Sequence, residues 1–336
     1  MINTLKAVAI SLGLIMPLSA MAQDHKNLDF YIGFGPTGSY DLYGRLLAKH
    51  IGKYLPGNPT VTVKSMPGAN GLTLANYLYK VAPQDGTAIG TIARGAATDP
   101  LLGTQGANFD STKFNWIGSA NDEVGVCMIF KSTGVSTLEE AKKTEVILGG
   151  TTAGGDDAQF PYFINKIIGT KFKLVIGYPG NSDVNLAMER GEVHGRCGAS
   201  WSRVPVDTPL WITENRLNVL VQLANKKDPA LPNVPLIAEF AKTDMEKGVF
   251  KLVFARQTMG RPFLAPPNVP ANKVNELRRA FDAAMKDPEL LAEAKKLKLD
   301  IDPVSGEAVQ QLVAEAYAMP KEIINYAAEI MKEAAK

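Results

Sequence analysis

The 336-residue chain is sparing with the residues that most enzyme chemistry requires. Two cysteines cannot build a disulfide scaffold, and three histidines, at 25, 50 and 194, show none of the close His, Cys or carboxylate spacings of a metal site. Lys plus Arg is 36 against 34 for Asp plus Glu, a formal net charge of +2. That leaves no basic surplus to bind phosphate backbones by counterion release, so nucleic acid is not an expected partner. Internal repeats and low-complexity segments are lacking, as are the G-x-S-x-G elbow, the Walker sequence and H-E-x-x-H. What remains is ordinary globular composition, 46% hydrophobic and 21% charged, long enough for one large domain or two medium ones.

The N-terminus is the first informative segment. Lys6 precedes the apolar run Ala7 to Met16, then Pro17 and Leu18, then Ala20-Met21-Ala22 before Gln23. This is the pattern of a secretory signal peptide over residues 1–22 with an A-x-A cleavage site. A retained membrane anchor needs roughly 18 or more apolar residues, and this run is shorter and ends in small ones. The sequence therefore predicts a soluble periplasmic protein in an oxidising compartment.

Beyond the leader, strands alternate with helices. Leu28 to Phe34 predicts a strand, Gly35 to Ser39 a turn, and Leu42, Leu46, Leu47, Ile51 and Leu55 a helix face. Val61 to Lys64, a turn at Pro67 to Gly71, a helix from about Leu72 to Lys80, and a strand at Thr87 to Ile92 continue the pattern. It predicts a largely parallel sheet covered on both faces. A second block starts at Gly125 with a strand to Phe130. It continues through a strand at Val146, a glycine-rich turn at Thr151 to Asp157, and a helix from Ala158 to Ile168 with Pro161 in its first turn. Strands at Lys173, Val193 and Val219 follow. Pro262 to Pro270 reads as a proline-rich passage, with helices from there to the end.

Gly33-Phe34-Gly35-Pro36-Thr37-Gly38 matches the dinucleotide fingerprint G-x-G-x-x-G, which admits an oxidoreductase. The ribose-binding acid expected roughly 20 residues on is missing, since no Asp or Glu lies between Asp41 and Asp85. The same turn serves without a cofactor: free backbone N–H groups at a helix N-terminus, with Ser39 as a cap, bind a carboxylate. Thr151-Thr152-Ala153-Gly154-Gly155 and Pro67-Gly68-Ala69-Asn70-Gly71 are further turns of this kind, and several together describe a cleft around a small anion. His194 with Cys197 forms a thiol and base pair only if the cysteine is free. Trp201 is either core packing or a wall of the cleft. Acids at Asp156 and Asp157 either cap the helix or face the ligand. Arg94, Arg196 and Arg203, near predicted strand ends, are candidates for a second carboxylate.

Residues from about Asp29 to Lys332 resemble the extracytoplasmic receptors of tripartite tricarboxylate transporters, the Bug-like solute-binding proteins. Phe34-Gly35-Pro36-Thr37-Gly38-Ser39-Tyr40-Asp41 through Arg45 resembles the family's F-x-P-G-G-S-x-D-x-x-x-R, with Thr37 for its first glycine. Met66 to Gly71 resembles R-P-G-A-G-G, and Ala82-Pro83 with Asp85-Gly86-Thr87 resembles A-P-D-G-Y/H-T, with Gln84 inserted. Tyr178-Pro179-Gly180, Gly191-Glu192-Val193, Pro229 to Pro235 and Phe263 to Pro266 follow in the family's order.

The resemblance implies an α/β type II periplasmic-binding-protein fold of two domains, with two mixed sheets, flanking helices and a cleft between. Residues 23–122 and 255–336 form the first domain and 123–254 the second. It implies that backbone amides of Gly35, Pro36, Thr37, Gly38, Ser39, Tyr40 and Asp41, and of Thr151, Thr152, Ala153, Gly154, Gly155, Asp156 and Asp157, hold a carboxylate, with Trp201 nearby. It further implies a non-enzymatic monomer without cofactor or metal, whose partners are membrane permease subunits. The strands bearing Cys127 and Cys197 run side by side in the family, which allows a disulfide in an exported protein. With Asp156 and Asp157 at the site, a mono- or dicarboxylate, aliphatic or aromatic, is expected over citrate. The alternatives are a sensory receptor reporting to a membrane kinase and the dinucleotide oxidoreductase. N-terminal sequencing of the exported protein is expected to begin near Gln23, and Met1 on protein from the periplasm would contradict the leader assignment.

Overall fold

Apolar runs flanked by turn residues become strands, and stretches with helical apolar spacing cover them. The computed structural model describes residues 27–36 and 38–334, so the leader, Gln23 and Thr37 lie outside the described residues. The strands are β1 (Leu28–Ile32), β2 (Val61–Ser65), β3 (Ala88–Thr91), β4 (Asn115–Ser119), β5 (Gly125–Phe130), β6 (Val146–Gly150), β7 (Phe172–Ile176), β8 (Gly195–Ser200), β9 (Leu217–Leu223), β10 (Pro262–Ala265) and β11 (Val304–Ser305). The helices are α1 (Ser39–Ile51), α2 (Leu72–Lys80), α3 (Leu138–Ala141), α4 (Asp156–Ile168), α5 (Asn181–Glu189), α6 (Val204–Asp207), α7 (Pro209–Thr213), α8 (Asp244–Phe254), α9 (Ala271–Ala284), α10 (Pro288–Lys296), α11 (Gly306–Tyr317) and α12 (Lys321–Ala334).

Two mixed sheets result, one ordered β11-β4-β10-β3-β1-β2 and the other β7-β6-β8-β5-β9. In the first, β1 runs parallel to β2 and β3, but β10 is antiparallel to both β3 and β4. The largely parallel expectation thus fails on this side of the sheet. The proline-rich passage supplies an interior strand because Pro262 stands at its first position, where a missing N–H interrupts the ladder least. On one face of this sheet α1, α9 and α10 bury Leu46, Leu47, Leu277, Phe281 and Leu290, and on the other α2 and α11 bury Leu74, Leu78, Val309 and Val313.

The second sheet carries α4 and α8 on one face, with Phe160, Phe163, Phe250 and Phe254 in the core, and α5 to α7 on the other. The chain passes between sheets after β4, after α8 and again after α11. The last passage differs from the expectation that every C-terminal helix rejoins the first sheet. Ala327 and Ile330 of α12 pack into the core beneath α4 and α8, and Lys166 pairs with Glu333. The apolar stripe of α12 needs a surface to cover, and the exposed flanks of α4 and α8 provide one.

Cys127 on β5 and Cys197 on β8 face one another sulfur to sulfur on neighbouring antiparallel strands, with Cα atoms 3.9 Å apart. Both are buried within the core of the second sheet. His194 is directed elsewhere: its Nδ1 accepts the Ile147 N–H at 3.1 Å, so it forms no base for a thiol. Denatured, unreduced protein is expected to show no titratable thiol, and two would show the cysteines to be free. Reduction is expected to cost about 4 kcal/mol of stability, the chain-entropy value for a loop of this length.

Candidate functional site

The strand ends of the two sheets carry the glycine-rich turns, and these turns meet across the interface between them. Helix α1 begins one residue earlier than a Ser39 cap requires: Gly38 is the N-cap, without a side-chain hydrogen bond, and Ser39 opens the helix. The first N–H groups of α1, on Ser39, Tyr40 and Asp41, therefore lie at an uncapped terminus. The buried Asp41, in the first turn, accepts Arg45 Nε at 2.9 Å. Gly35, Pro36 and Gly38 are exposed, while Tyr40 is half-buried and stacked on Phe34 with ring centroids 4.3 Å apart. Tyr40 Oη accepts the Arg94 N–H at 3.1 Å, and the Arg261 guanidinium lies 5.0 Å from the Tyr40 ring. β2, beside β1, ends in Lys64-Ser65, where a dinucleotide site needs its ribose-binding carboxylate.

The turn at Pro67 to Gly71 is no simple helix start. Ala69 and Asn70 have φ of 44° and 53°, in the left-handed region. This conformation, which Asn tolerates better than most residues, directs the Asn70 side chain across the interface, where Nδ2 donates to the Gly154 carbonyl at 2.9 Å.

On the opposite side α4 begins at Asp156 with Gly155 as N-cap, two residues earlier than its apolar spacing predicts. Pro161 consequently sits beyond the first turn and removes an intrahelical bond. The two acids part company. Asp157 folds back onto its own turn and accepts the Thr151 N–H at 2.6 Å; burial pushes its carboxyl up, against the pull of Arg196. Asp156 crosses to the other sheet, where its carboxylate meets Arg94 Nε at 2.6 Å and Arg256 Nη2 at 2.8 Å. Gly198, at φ 74° in β8, permits this seating, because a Cβ there would stand 2.9 Å from the Asp156 carbonyl carbon. Thr151 and Gly154 are half-buried, Thr152 and Ala153 exposed, and Gly155 buried.

The environment of Asp156 is strongly cationic. Burial raises its carboxyl, but Arg256 and then Arg94 outweigh burial and hold it below the usual carboxylate range. Arg94 and Arg256 are 5% and 0% exposed. Arg256 also donates to Gln159 Oε1 at 2.8 Å, and Asp99, raised by burial against the pull of Arg256, stands beside it. Of the three arginines named from sequence, Arg94 alone belongs to this cluster. Arg196 holds Asn181 and Asn185 on α5, and Arg203 holds the Lys298 carbonyl and Asp207. Trp201 packs against the cluster of Val126, Met128 and Ala199. Arg256 and Arg261 escaped sequence reading because they belong to no local motif. Their one signal is that both stand between the apolar groups Val253 to Ala255 and Phe263 to Ala265.

No protein-family model matches the chain, and no curated protein matches it in sequence. Solved structures do match in shape. A TctC solute-binding protein from Polaromonas superposes with a TM-score of 0.67 at 19% identity, over 89% of this chain and 98% of that one. The fold is that of the periplasmic solute-binding proteins. The periplasmic binding protein BugD gives 0.64 at 20% identity over 92% and 97% of the two chains. MatC from Rhodopseudomonas palustris, with bound malate, gives 0.64 at 17% identity over 91% and 98%. Among the described residues no helix is long and apolar enough to cross a membrane.

Removing one partner of a buried ion pair strands the other charge. Arg256→Gln takes away one of the two cations paired with Asp156 and is expected to lower stability at pH 7 in urea melts, by less than the ~3–5 kcal/mol of a fully stranded charge because Arg94 remains. The folded-state carboxyl of Asp156 lies below its unfolded value. Its stabilisation is thus complete above about pH 4 and disappears as pH falls through the folded value. Arg256→Gln should shrink this acid-side loss, and an unchanged profile would contradict the pairing.

Proposed function

We propose that the protein is a periplasmic receptor of the tripartite tricarboxylate transporter kind, which captures a small organic carboxylate and delivers it to membrane permease subunits. The observation that carries this reading is the meeting, between two sheets, of uncapped helix N-termini with a cluster of buried arginines. Free N–H groups and helix dipoles favour an anion at such a place, and guanidinium groups supply a second anchor. The chemistry required is binding and domain closure, with no reacting group to position, and the protein is accordingly read as a non-enzyme that works as a monomer. The malate bound to MatC supports a dicarboxylate as the ligand class. The groups that line the site in this reading are Gly35 to Asp41 from the first domain and Thr151 to Asp157 from the second, with Arg94, a candidate already from the sequence, and Arg256 beside Asp156.

Thermal-shift and calorimetric screening against mono-, di- and tricarboxylates tests the reading. A ligand at about 100 times its Kd should add about 2.7 kcal/mol of stability. A four- to six-carbon dicarboxylate is expected to bind more tightly than citrate, and tighter citrate binding would refute the assignment of ligand class. Gly38→Val and Gly154→Val should abolish binding in folded protein. A Cβ at Gly38 meets nothing closer than the Gly35 carbonyl at 3.8 Å, and at Gly154 nothing closer than Asn70 Cβ at 4.0 Å. Neither variant need disturb the fold, but each places a side chain where the anion must approach. Unchanged affinity would remove these turns from the site.

A further inference from the structure

Three clusters of polar groups stand out, two of them away from the carboxylate-binding turns and one at the turn that carries Asp156. His50, Asp287 and Glu289 converge, but the Lys53 amine already sits among them, 3.0 Å from Asp287 and 2.5 Å from Glu289, so a cation is supplied internally. A cavity of about 280 Å³ beside Phe130, Glu189 and Arg216 is lined by an ion pair already satisfied, Arg216 to Glu189 at 2.7 Å. The arginine cluster is different, because several of its buried donors have no hydrogen-bond partner.

Asp156 accepts a hydrogen bond from Arg94 Nε and pairs at 2.8 Å with Arg256 Nη2, whose own hydrogen bond goes to Gln159 Oε1. Arg94 Nη1, Arg256 Nε and Nη1, and Gln159 Nε2 are buried with no hydrogen-bond partner. A guanidinium binds a carboxylate best through two parallel bonds from one edge of its fork. A carboxylate tethered to the first residue of α4 makes no such paired contact with either arginine. Two further acids stand near the arginines: Glu123 accepts Ser202 Oγ at 2.7 Å and the Val124 N–H at 3.1 Å, and Asp99, beside Arg256, accepts Thr104 Oγ1 at 3.1 Å. Asp156 is also the acid that the second domain's turn carries across the interface, so its pairing depends on closure.

We propose that Asp156 is a built-in competitor for the ligand, its carboxylate holding between Arg94 and Arg256 the place that the second acid group of a diacid takes on binding. This rests on the carboxylate-receptor reading above. Binding is then an exchange of carboxylates, in which the ligand's untethered acid uses the fork donors that Asp156 leaves unpaired. Two consequences follow from the chemistry. The side chain closes the two domains on each other without ligand, and a monoacid is poorly bound because it leaves the arginines to Asp156.

Calorimetry on the mature protein and on Asp156→Asn, with succinate and its monoacid counterpart butyrate, tests the exchange. Small-angle scattering of the same proteins without ligand tests the closure. The variant is expected to bind succinate about tenfold or more tightly than the parent. Butyrate affinity should change far less. The ligand-free variant should scatter as a larger particle and contract on adding succinate. Asp156→Ser, which leaves room for water beside the arginines, keeps the measurement available if the amide variant does not fold. Unchanged or weaker succinate binding in a folded variant, with the parent binding normally, overturns the exchange alone. Failure of both proteins to bind any acid overturns the receptor reading and the exchange with it. Identical ligand-free scattering overturns the closure role.

Discussion

A carboxylate held between two buried guanidinium groups is the constraint around which this molecule is arranged. Burying a charge without a partner is prohibitive, so wherever Arg94 and Arg256 are withdrawn from water an anion must accompany them. Arg94 follows β3 in the first sheet, Arg256 lies in the passage from α8 to β10, and Asp156 opens α4 on the second sheet. One ion triad therefore ties together both halves of the chain and the segment that joins them.

Local backbone chemistry makes that triad reachable. Gly198 lets the first turn of α4 approach β8, and the left-handed turn at Ala69 and Asn70 sends an amide across to the Gly154 carbonyl. The Tyr40 hydroxyl holds the Arg94 backbone, while its ring sits between Phe34 and the Arg261 guanidinium. The first glycine-rich turn is thus linked through Tyr40 to the backbone of Arg94. In the proposed receptor, the N–H groups at the start of α1 and the guanidinium groups beyond would be two kinds of anion donor of different reach. The first is fixed backbone, and the second is side chain already engaged.

The scaffold behind the site keeps these donors in place by unspecific means. Phenylalanines of α4 and α8 fill the second core, and aliphatic side chains of α1, α2 and α9 fill the first. Burial of this kind tolerates many sequences of similar volume. Solved structures at 17–20% identity share the fold for that reason, while the polar groups at the interface are free to differ.

Much of the architecture is written in local pattern. Alternating apolar strands and amphipathic helices identify an α/β chain, and the turns at Gly35 to Ser39 and Thr151 to Asp157 are visible as glycine-rich segments before helices. Strand order is not written there. β4 is only five residues of mixed polarity, and β10 looks like a proline-rich loop until its neighbours β3 and β4 supply hydrogen-bond partners on both sides. Nor could sequence choose between Asp156 and Asp157, since adjacent residues at a helix start differ only in the direction the helix gives them. Arg256 and Arg261 carry no motif, and their meaning comes from residues about 100 positions away that share a dry space with them. Periodicity and turn chemistry act between near neighbours and are legible in one dimension. Compensation of a buried charge depends on distance in space, and only the folded chain fixes that.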